Sequence, residues 1–377
     1  MKVKLPKDKY IKGIEVNADH LDISFAPKKK VALLFVNINH RYWPYMAQVA
    51  QDCKTHFLPH HKVDFHVWSD APKKDDPNIE QILLGIPTQA GLDKQRAEGG
   101  GIPCFSREVI KDTLDRLWAM DNLNLYETEP IDWPAPTLMR YHLFLQQEEK
   151  LKDYDYVFYL DADMRVVTKI GDEVLGEGLT TAPHPGYVLN SRLIPPYEPN
   201  IESQAYIPRL GRVIVDETGK NRFVPFYAAG GFQGGKTKLW LKAMHKMKES
   251  IDRDFNKNYI AIWNDESHWN KYLWNYQQNG GHITFLDVSY IYPDSLIKEY
   301  YEPIWGRSYE PKIVTLTKPF SLSKQAGEEL NRVFGANPHQ FPCPACGATL
   351  QVPGHKIVKV LHCDGQDKPH QVDMIKL

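Results

Sequence analysis

The sequence predicts an α/β fold in which helices cover a mainly parallel sheet. Two patterns carry that prediction. The first is a βαβ unit within residues 31–67. Val31-Ala32-Leu33-Leu34-Phe35-Val36 is a continuous apolar run, as in a strand buried on both faces. Met46, Val49, Ala50, Cys53 and Phe57 follow at the spacing of one helix face, and Pro59 closes the stretch. Val63, Phe65 and Val67 then alternate with Asp64, His66 and Trp68, which is strand-like. Two strands joined across a helix lie parallel in one sheet. The second pattern is Tyr156-Val157-Phe158-Tyr159-Leu160, another buried strand, which runs directly into Asp161-Ala162-Asp163-Met164.

The bulk properties narrow the function class. A chain of 377 residues is long enough for one large or two ordinary domains with a sizeable core. A formal charge of −1 gives no broad electrostatic surface for nucleic acid or an anionic membrane. The 9 Trp and 20 Tyr fit carbohydrate handling, and equally fit large cores. No apolar run reaches the roughly 18 residues of a membrane-spanning helix. Residues 1–10 are rich in Lys without an apolar segment, unlike a signal peptide, so a cytoplasmic location is expected. Five cysteines, three of them near the C-terminus, do not form a disulfide framework.

Residues 1–29 are polar and read as an N-terminal arm. The main domain spans 30–335. Residues 71–122, broken by Gly99-Gly100-Gly101 and several prolines, read as an insertion between sheet elements, with a helix over 106–120 capped by Ser106. Leu138, Tyr141 and Leu145 have helical spacing, starting at Thr137 after Pro136. Residues 180–230 are rich in Pro and Tyr and read as loops around a site. Helices are expected over 239–251 and 266–278, and short strands over 283–286 and 313–316. Residues 336–377 form a small Cys/His tail.

Two carboxylates after a buried strand sit where open α/β sheets place their ligands. Asp161 and Asp163 are costly there unless something positive neutralises them, and a divalent cation with oxygen ligands, Mn²⁺ or Mg²⁺, would do so. A pair capping a following turn is the plainer reading. Gly230-Gly231-Phe232-Gln233-Gly234-Gly235-Lys236-Thr237 fits the phosphate-cradling P-loop pattern and suggests an NTPase or kinase. Against it, the preceding segment has a central proline, Pro225, and the loop follows the candidate Asp strand instead of preceding it. The glycines would also let backbone approach a ligand closely. Trp263-Asn264-Asp265-Glu266 opens a helix, where acidic residues can be caps. A Trp beside two carboxylates equally suits a sugar, with the indole on an apolar sugar face and the carboxylates accepting hydroxyls.

Taken together, these segments resemble glycosyltransferase family 6, over about residues 31–320. Trp133-Pro134-Ala135-Pro136-Thr137-Leu138-Met139-Arg140 is similar to the family segment whose arginine contacts the nucleotide sugar. Asp161-Ala162-Asp163-Met164 matches its metal motif. His184-Pro185-Gly186-Tyr187 and Ser203-Gln204-Ala205-Tyr206-Ile207-Pro208 match acceptor-side segments. Residues 227–235 resemble the glycine-rich donor loop, and residues 263–272 the block carrying the key glutamate. The resemblance implies a nucleotide-diphospho-sugar transferase fold of the GT-A type. It also implies retaining α-1,3 transfer of GalNAc or Gal from a UDP-sugar to a β-galactoside-type glycan, usually with Mn²⁺. Asp161, Ala162 and Asp163 would lie against the metal and diphosphate, with Lys318, and less securely Lys324, neutralising phosphate charge. Glu266 would act at the β-face of the sugar. Asp265 and Arg140 would bind its hydroxyls, and Asn37, Ile38 and Tyr42 would frame uracil and ribose. Ala229, Gly230 and Gly231 would line the donor, and the small Ala229 and Gly231 would leave room for an N-acetyl group. His184 and Trp263 would face the acceptor together with Glu266. Asn264 stands where a histidine is common. Beside the P-loop NTPase or kinase, a sugar- or nucleotide-sugar-binding protein without catalysis is a second rival, and intact Asp161, Asp163, Glu266 and Lys318 speak against it.

In the tail, Cys343-Pro344-Ala345-Cys346 is a C-x-x-C turn, and Cys363 lies further on. With His370 as fourth ligand, or His355 or His362, it would form a structural Cys₃His zinc site.

Overall fold

The computed structural model describes residues 27–97, 105–131, 134–188, 197–208, 227–294 and 310–316, together with a few two- and three-residue strands elsewhere. The chain opens on β1 (Lys30–Asn37), α1 (Trp43–His56) and β2 (Lys62–Ser69). Three helices follow, α2 (Ile79–Leu84), α3 (Gln89–Ala97) and α4 (Arg107–Trp118), before β3 (Leu123–Glu127). Short helices α5 (Ala135–Leu138), α6 (Arg140–Leu145) and α7 (Glu148–Leu151) lead to β4 (Tyr156–Leu160) and β5 (Met164–Val166). Next come β6 (Leu179–Pro183), α8 (Pro185–Val188), a small pair β7 (Ile214–Val215) and β8 (Asn221–Arg222), and the long β9 (Ala228–Lys236). Helices α9 (Thr237–Phe255) and α10 (Asn264–Gln278) then precede β10 (Ile283–Phe285), β11 (Tyr292–Pro293) and β12 (Ile313–Thr315).

The main sheet has seven strands in the order β10-β6-β9-β4-β1-β2-β3. All neighbours pair in parallel except β9, which runs antiparallel to both β4 and β6. The predicted βαβ unit is present, with Val31 paired to Val63 and Asn37 to Ser69. Alternate residues of β1 feed two cores. Leu33 and Phe35 pack with Met46, Val49 and Ala50 of α1. Ala32 and Leu34 pack on the other face with Tyr141 and Phe144 of α6, Trp240 and Met244 of α9, and Trp269 of α10. A strand buried on both faces needs an unbroken apolar sequence, which is why the 31–36 run is so legible.

Residues 71–122 connect β2 to its parallel neighbour β3. They have their own small core, in which Ile110 and Leu114 of α4 meet Trp43, Ala71, Leu83 and Ile86. The single helix expected from Thr137 is instead three short helices, interrupted at Met139 and at Gln146-Gln147. Ser106 does precede α4, in extended conformation.

A second correction concerns the glycines. Residues 228–236 are a central strand, neither a P-loop nor any other loop. A P-loop needs backbone N–H groups turned toward a phosphate, whereas here residues 232–236 pair with β4, residues 233–235 also pair with β6, and the Gly230 N–H goes to Glu266. Packing explains the composition. A Cβ on Gly234 would come within 2.1 Å of the Phe158 ring and 2.7 Å of the Val157 carbonyl. Lys236, the would-be phosphate lysine, pairs with Glu177.

A three-stranded sheet of β11, β12 and β5 flanks the acidic segment. Thr315 pairs with Met164, and the Leu316 N–H donates to the Asp163 carbonyl at 3.0 Å. The chain therefore passes Asp163 two residues before Lys318. Lys318, Lys324, Cys343, Cys346, Cys363, His355, His362 and His370 lie outside the described residues, and so does Trp133.

Candidate active site

The carboxyl end of β4, the middle of β9, the start of α6 and the start of α10 meet at one point. Arg140 stands at its centre, 4% exposed. Its guanidinium lies 3.3 Å from Asp265 Oδ2 and 3.5 Å from Asp161 Oδ1. It also donates to the Thr137 carbonyl at 3.1 Å and to the Gly230 carbonyl at 3.4 Å, and it stacks 4.3 Å above the Tyr159 ring. Burial alone would lower its pKa. Asp265 and Asp161 outweigh that, so the guanidinium stays protonated.

The carboxylates outnumber it. Asp265 is buried and receives the Tyr141 hydroxyl at 3.4 Å. Burial pushes its pKa up to about 7, with Asp161 and Glu266 adding to the rise against Arg140. Glu266 accepts the Gly230 N–H on Oε2 at 2.8 Å. It too is pushed up to about 7, first by desolvation and then by Asp161, against the Gly230 hydrogen bond and Tyr227. The Tyr227 hydroxyl faces Glu266 but completes no well-aligned hydrogen bond there. Asp161 bonds to the Tyr159 hydroxyl, and its side chain is 35% exposed. Asp163 is 5% exposed.

Among the described residues, one arginine faces Asp161, Asp265 and Glu266, with Asp163 two residues from Asp161, so the cluster they form is short of positive charge. That deficit has a measurable consequence. Groups whose folded pKa is raised contribute stability below their ordinary range, which is lost as pH rises through the folded value. For Asp265 and Glu266 the window runs from about pH 4 to about pH 7. In chelator, thermal unfolding should therefore shift to lower temperature as pH rises from 5 to 8. Added Mn²⁺ should raise the melting temperature more at pH 8 than at pH 5. A melting temperature independent of pH and metal over that range would contradict this electrostatic account.

Residues 133–280 match the profile of Glycosyltransferase family 6. The chain carries a family 6 glycosyltransferase domain. It is 27% identical to Histo-blood group ABO system transferase 1 of Rattus norvegicus over 260 residues, 68% of this chain and 60% of the rat protein. It is 29% identical to the O-antigen biosynthesis glycosyltransferase WbnI of Escherichia coli over 178 residues, 46% of this chain and 70% of that protein. It is 26% identical to Globoside alpha-1,3-N-acetylgalactosaminyltransferase 1 of Gallus gallus over 235 residues, 62% and 54% of the respective chains. The chain thus spans about six-tenths of the length of the rat relative.

Within the family 6 domain, the structure brings together Arg140, Asp161, Gly230, Gly231, Asp265 and Glu266. A Cβ on Gly231 would fall 2.7 Å from Asp161 Oδ2 and 2.5 Å from Met164 Cε. The glycine thus makes room for the acidic segment itself, and its smallness is not an argument for an N-acetyl pocket. Ala229 and Ala162 are buried, at 2% and 4% exposure. Asn37 and Ile38 end β1 and are both buried. Both polar atoms of the Asn37 amide lack a protein partner. Tyr42 is half-buried beside Tyr45.

His184 lies 4.9 Å from Tyr187 with the rings tilted at 42°, and burial lowers its pKa to about 4, leaving it neutral. Tyr187 and Tyr197 each lie 5.4 Å from Tyr227, so aromatic rings line the approach to Glu266. Trp263 is 41% exposed at the rim. Asn264 adopts φ 49°, a left-handed conformation that asparagine tolerates better than most residues. That accounts for an asparagine at this position. The sequence reading missed Tyr227 and Gln233 as site residues. Gln233 accepts the Tyr141 hydroxyl at 3.0 Å and donates to the Gly230 carbonyl at 2.9 Å. A glutamine amid glycines in a buried strand was the available signal. Among the described residues, no three His, Cys, Asp or Glu side chains converge as a ready-made metal cage, and no helix is long and apolar enough to cross a membrane.

Proposed function

We propose that the domain transfers GalNAc or Gal from a UDP-sugar, with retention and in α-1,3 linkage, to a β-galactoside-type glycan. The observation that carries this reading is the cluster in which Arg140 is shared by Asp161 and Asp265 beside Glu266. Its charge deficit is what a divalent cation would correct. Asp161 and Asp163 would hold Mn²⁺, or Mg²⁺, whose remaining positions suit diphosphate oxygens. Bound there, the cation would stabilise charge developing on the departing UDP. Lys318 would add positive charge from the chain that leaves β12 next to Asp163.

The protein's own groups supply the rest. Arg140 and Asp265 would fix donor-sugar hydroxyls. The Gly230 N–H holds one Glu266 oxygen, and the other would face the anomeric carbon. A carboxylate there offsets positive charge at that carbon as the bond to UDP breaks. Asn37, Ile38 and Tyr42 would enclose uracil and ribose at the carboxyl end of β1, where open α/β sheets bind ligands. The unpartnered Asn37 amide supplies both a donor and an acceptor to that region. His184 and Trp263 would receive the acceptor. Structural zinc on Cys343, Cys346, Cys363 and His370, and a cytoplasmic location, remain part of the proposal.

Asp163→Asn tests the metal half. Near-isosteric replacement should leave the fold intact and lower Mn²⁺-stimulated transfer by at least about 100-fold. Undiminished transfer by this variant in chelator would overturn the assignment.

A further inference from the structure

Two loops that reach the site from different parts of the chain are tied together by buried carboxylates. One is residues 197–208. The other is the turn between α9 and α10, which ends at Trp263, three residues before Glu266. Glu198 is 1% exposed, although it belongs to a loop. Its Oε1 accepts the Tyr259 hydroxyl at 2.6 Å and the Asn200 N–H at 2.8 Å. Its Oε2 accepts the Ile262 N–H at 2.8 Å. Ile262 immediately precedes Trp263. Asp254, at the end of α9, reaches back in the same way. It accepts the Ser203 hydroxyl at 2.6 Å and the Gln204 N–H at 2.9 Å.

A buried carboxylate is expensive unless it is fully bonded. Two of the three hydrogen bonds to Glu198 fix the turn just before a strained residue, and the third, from Asn200, holds its own loop. Asn264 holds φ 49° while its N–H bonds the Ala261 carbonyl at 2.8 Å. A left-handed residue persists only where its surroundings over-determine it. The placement of Trp263, which directly follows Ile262, depends on that turn, whereas Asp265 and Glu266 are held separately by Arg140, Tyr141 and the Gly230 N–H. We infer that Glu198 is a positioning residue that locks the 197–208 loop to the Tyr259–Ile262 turn and so holds Trp263 in place against the acceptor. This rests on the proposed roles of Trp263 and Glu266. Donor contacts at Arg140, Asp161 and Gly230 come from other elements and do not pass through the clamp.

The test compares the full chain with Tyr259→Phe and Glu198→Gln. Tyr259→Phe removes one hydroxyl. Glu198→Gln also sets an amide N–H or loses an acceptor against a backbone N–H, so it acts more strongly. Amide exchange should quicken at 198–206 and 258–264 and stay unchanged in β4 and β9. With Mn²⁺, UDP-GalNAc or UDP-Gal and a β-galactoside, the acceptor KM should rise about tenfold or more in Glu198→Gln, and less in Tyr259→Phe, because misplacement of about 1 Å is costly. The donor KM should hold. An unchanged acceptor KM, a donor KM that rises equally, or exchange quickened throughout with a general fall in melting temperature would overturn the inference. Wild-type protein without any transfer would sink the functional reading instead, and the exchange pattern would still decide whether the clamp exists.

Discussion

Glu266→Gln should lower kcat for transfer by about 10³-fold or more, the scale of removing a charge aimed at a developing transition state. The substitution keeps an oxygen for the Gly230 N–H and nearly the same volume, so the fold and donor binding should survive. What disappears is the negative charge. Metal-free Glu266 is pushed up to about 7 by burial and by Asp161. Positive charge brought to Asp161 by a cation lowers that value. The wild-type kcat profile under saturating donor and Mn²⁺ should therefore fall on the acid side with an apparent pKa below about 7. In Glu266→Gln that acid limb should vanish. A variant with more than a tenth of wild-type kcat, or with the same acid limb, would show that another group does the work.

Arg140→Met should give the largest loss of stability. The guanidinium separates Asp161 from Asp265 and satisfies the Thr137 and Gly230 carbonyls in a site that is almost closed to water. Removing one partner of a buried ion pair costs about 3–5 kcal/mol, because the remaining charge is left uncompensated. The loss should depend on pH. At pH 8 Asp265 and Glu266 are predominantly ionised in the wild type, and because Arg140 lowers both values, its loss forces them to repel unopposed or to take up protons. At pH 5 they are predominantly protonated, so the same substitution should cost less. Denaturant midpoints of both proteins at the two pH values measure this. Arg140→Lys should restore little, since an ammonium cannot span two carboxylates and two carbonyls. Equal midpoints for Arg140→Met and wild type at pH 8 would remove Arg140 from the centre of the cluster.

What could be read in the sequence follows from how each element is buried. β1 and β4 are enclosed on both faces, so their apolar runs announce them. Helices α9 and α10 have one buried face each, and their spacing shows it. β9 was hidden because its packing requires glycine where strands usually carry branched side chains. Phe158 occupies the space over Gly234, and Asp161 with Met164 the space over Gly231. A local pattern then looks like a phosphate loop, and only pairing with β4 and β6 shows otherwise. The site was legible where its residues carry charge beside a strand or helix end, as with Asp161, Asp163, Asp265 and Glu266. Arg140 was legible through resemblance alone, since nothing in its neighbourhood in the sequence predicts two carboxylates brought in from β4 and α10. Glu198 lay within a Pro- and Tyr-rich stretch, and its partners Tyr259 and Ile262 are about 60 residues away, so no local spacing could reveal the clamp.

The central claim is transfer from a UDP-sugar at the Arg140, Asp161 and Glu266 cluster. Its most direct test is UDP release by the wild-type chain with Mn²⁺ and UDP-GalNAc or UDP-Gal, with and without a β-galactoside acceptor. The account predicts release from a UDP-sugar that the acceptor stimulates, that chelator abolishes, and that Glu266→Gln loses. UDP-sugar binding without turnover, or turnover of ATP in its place, would contradict it.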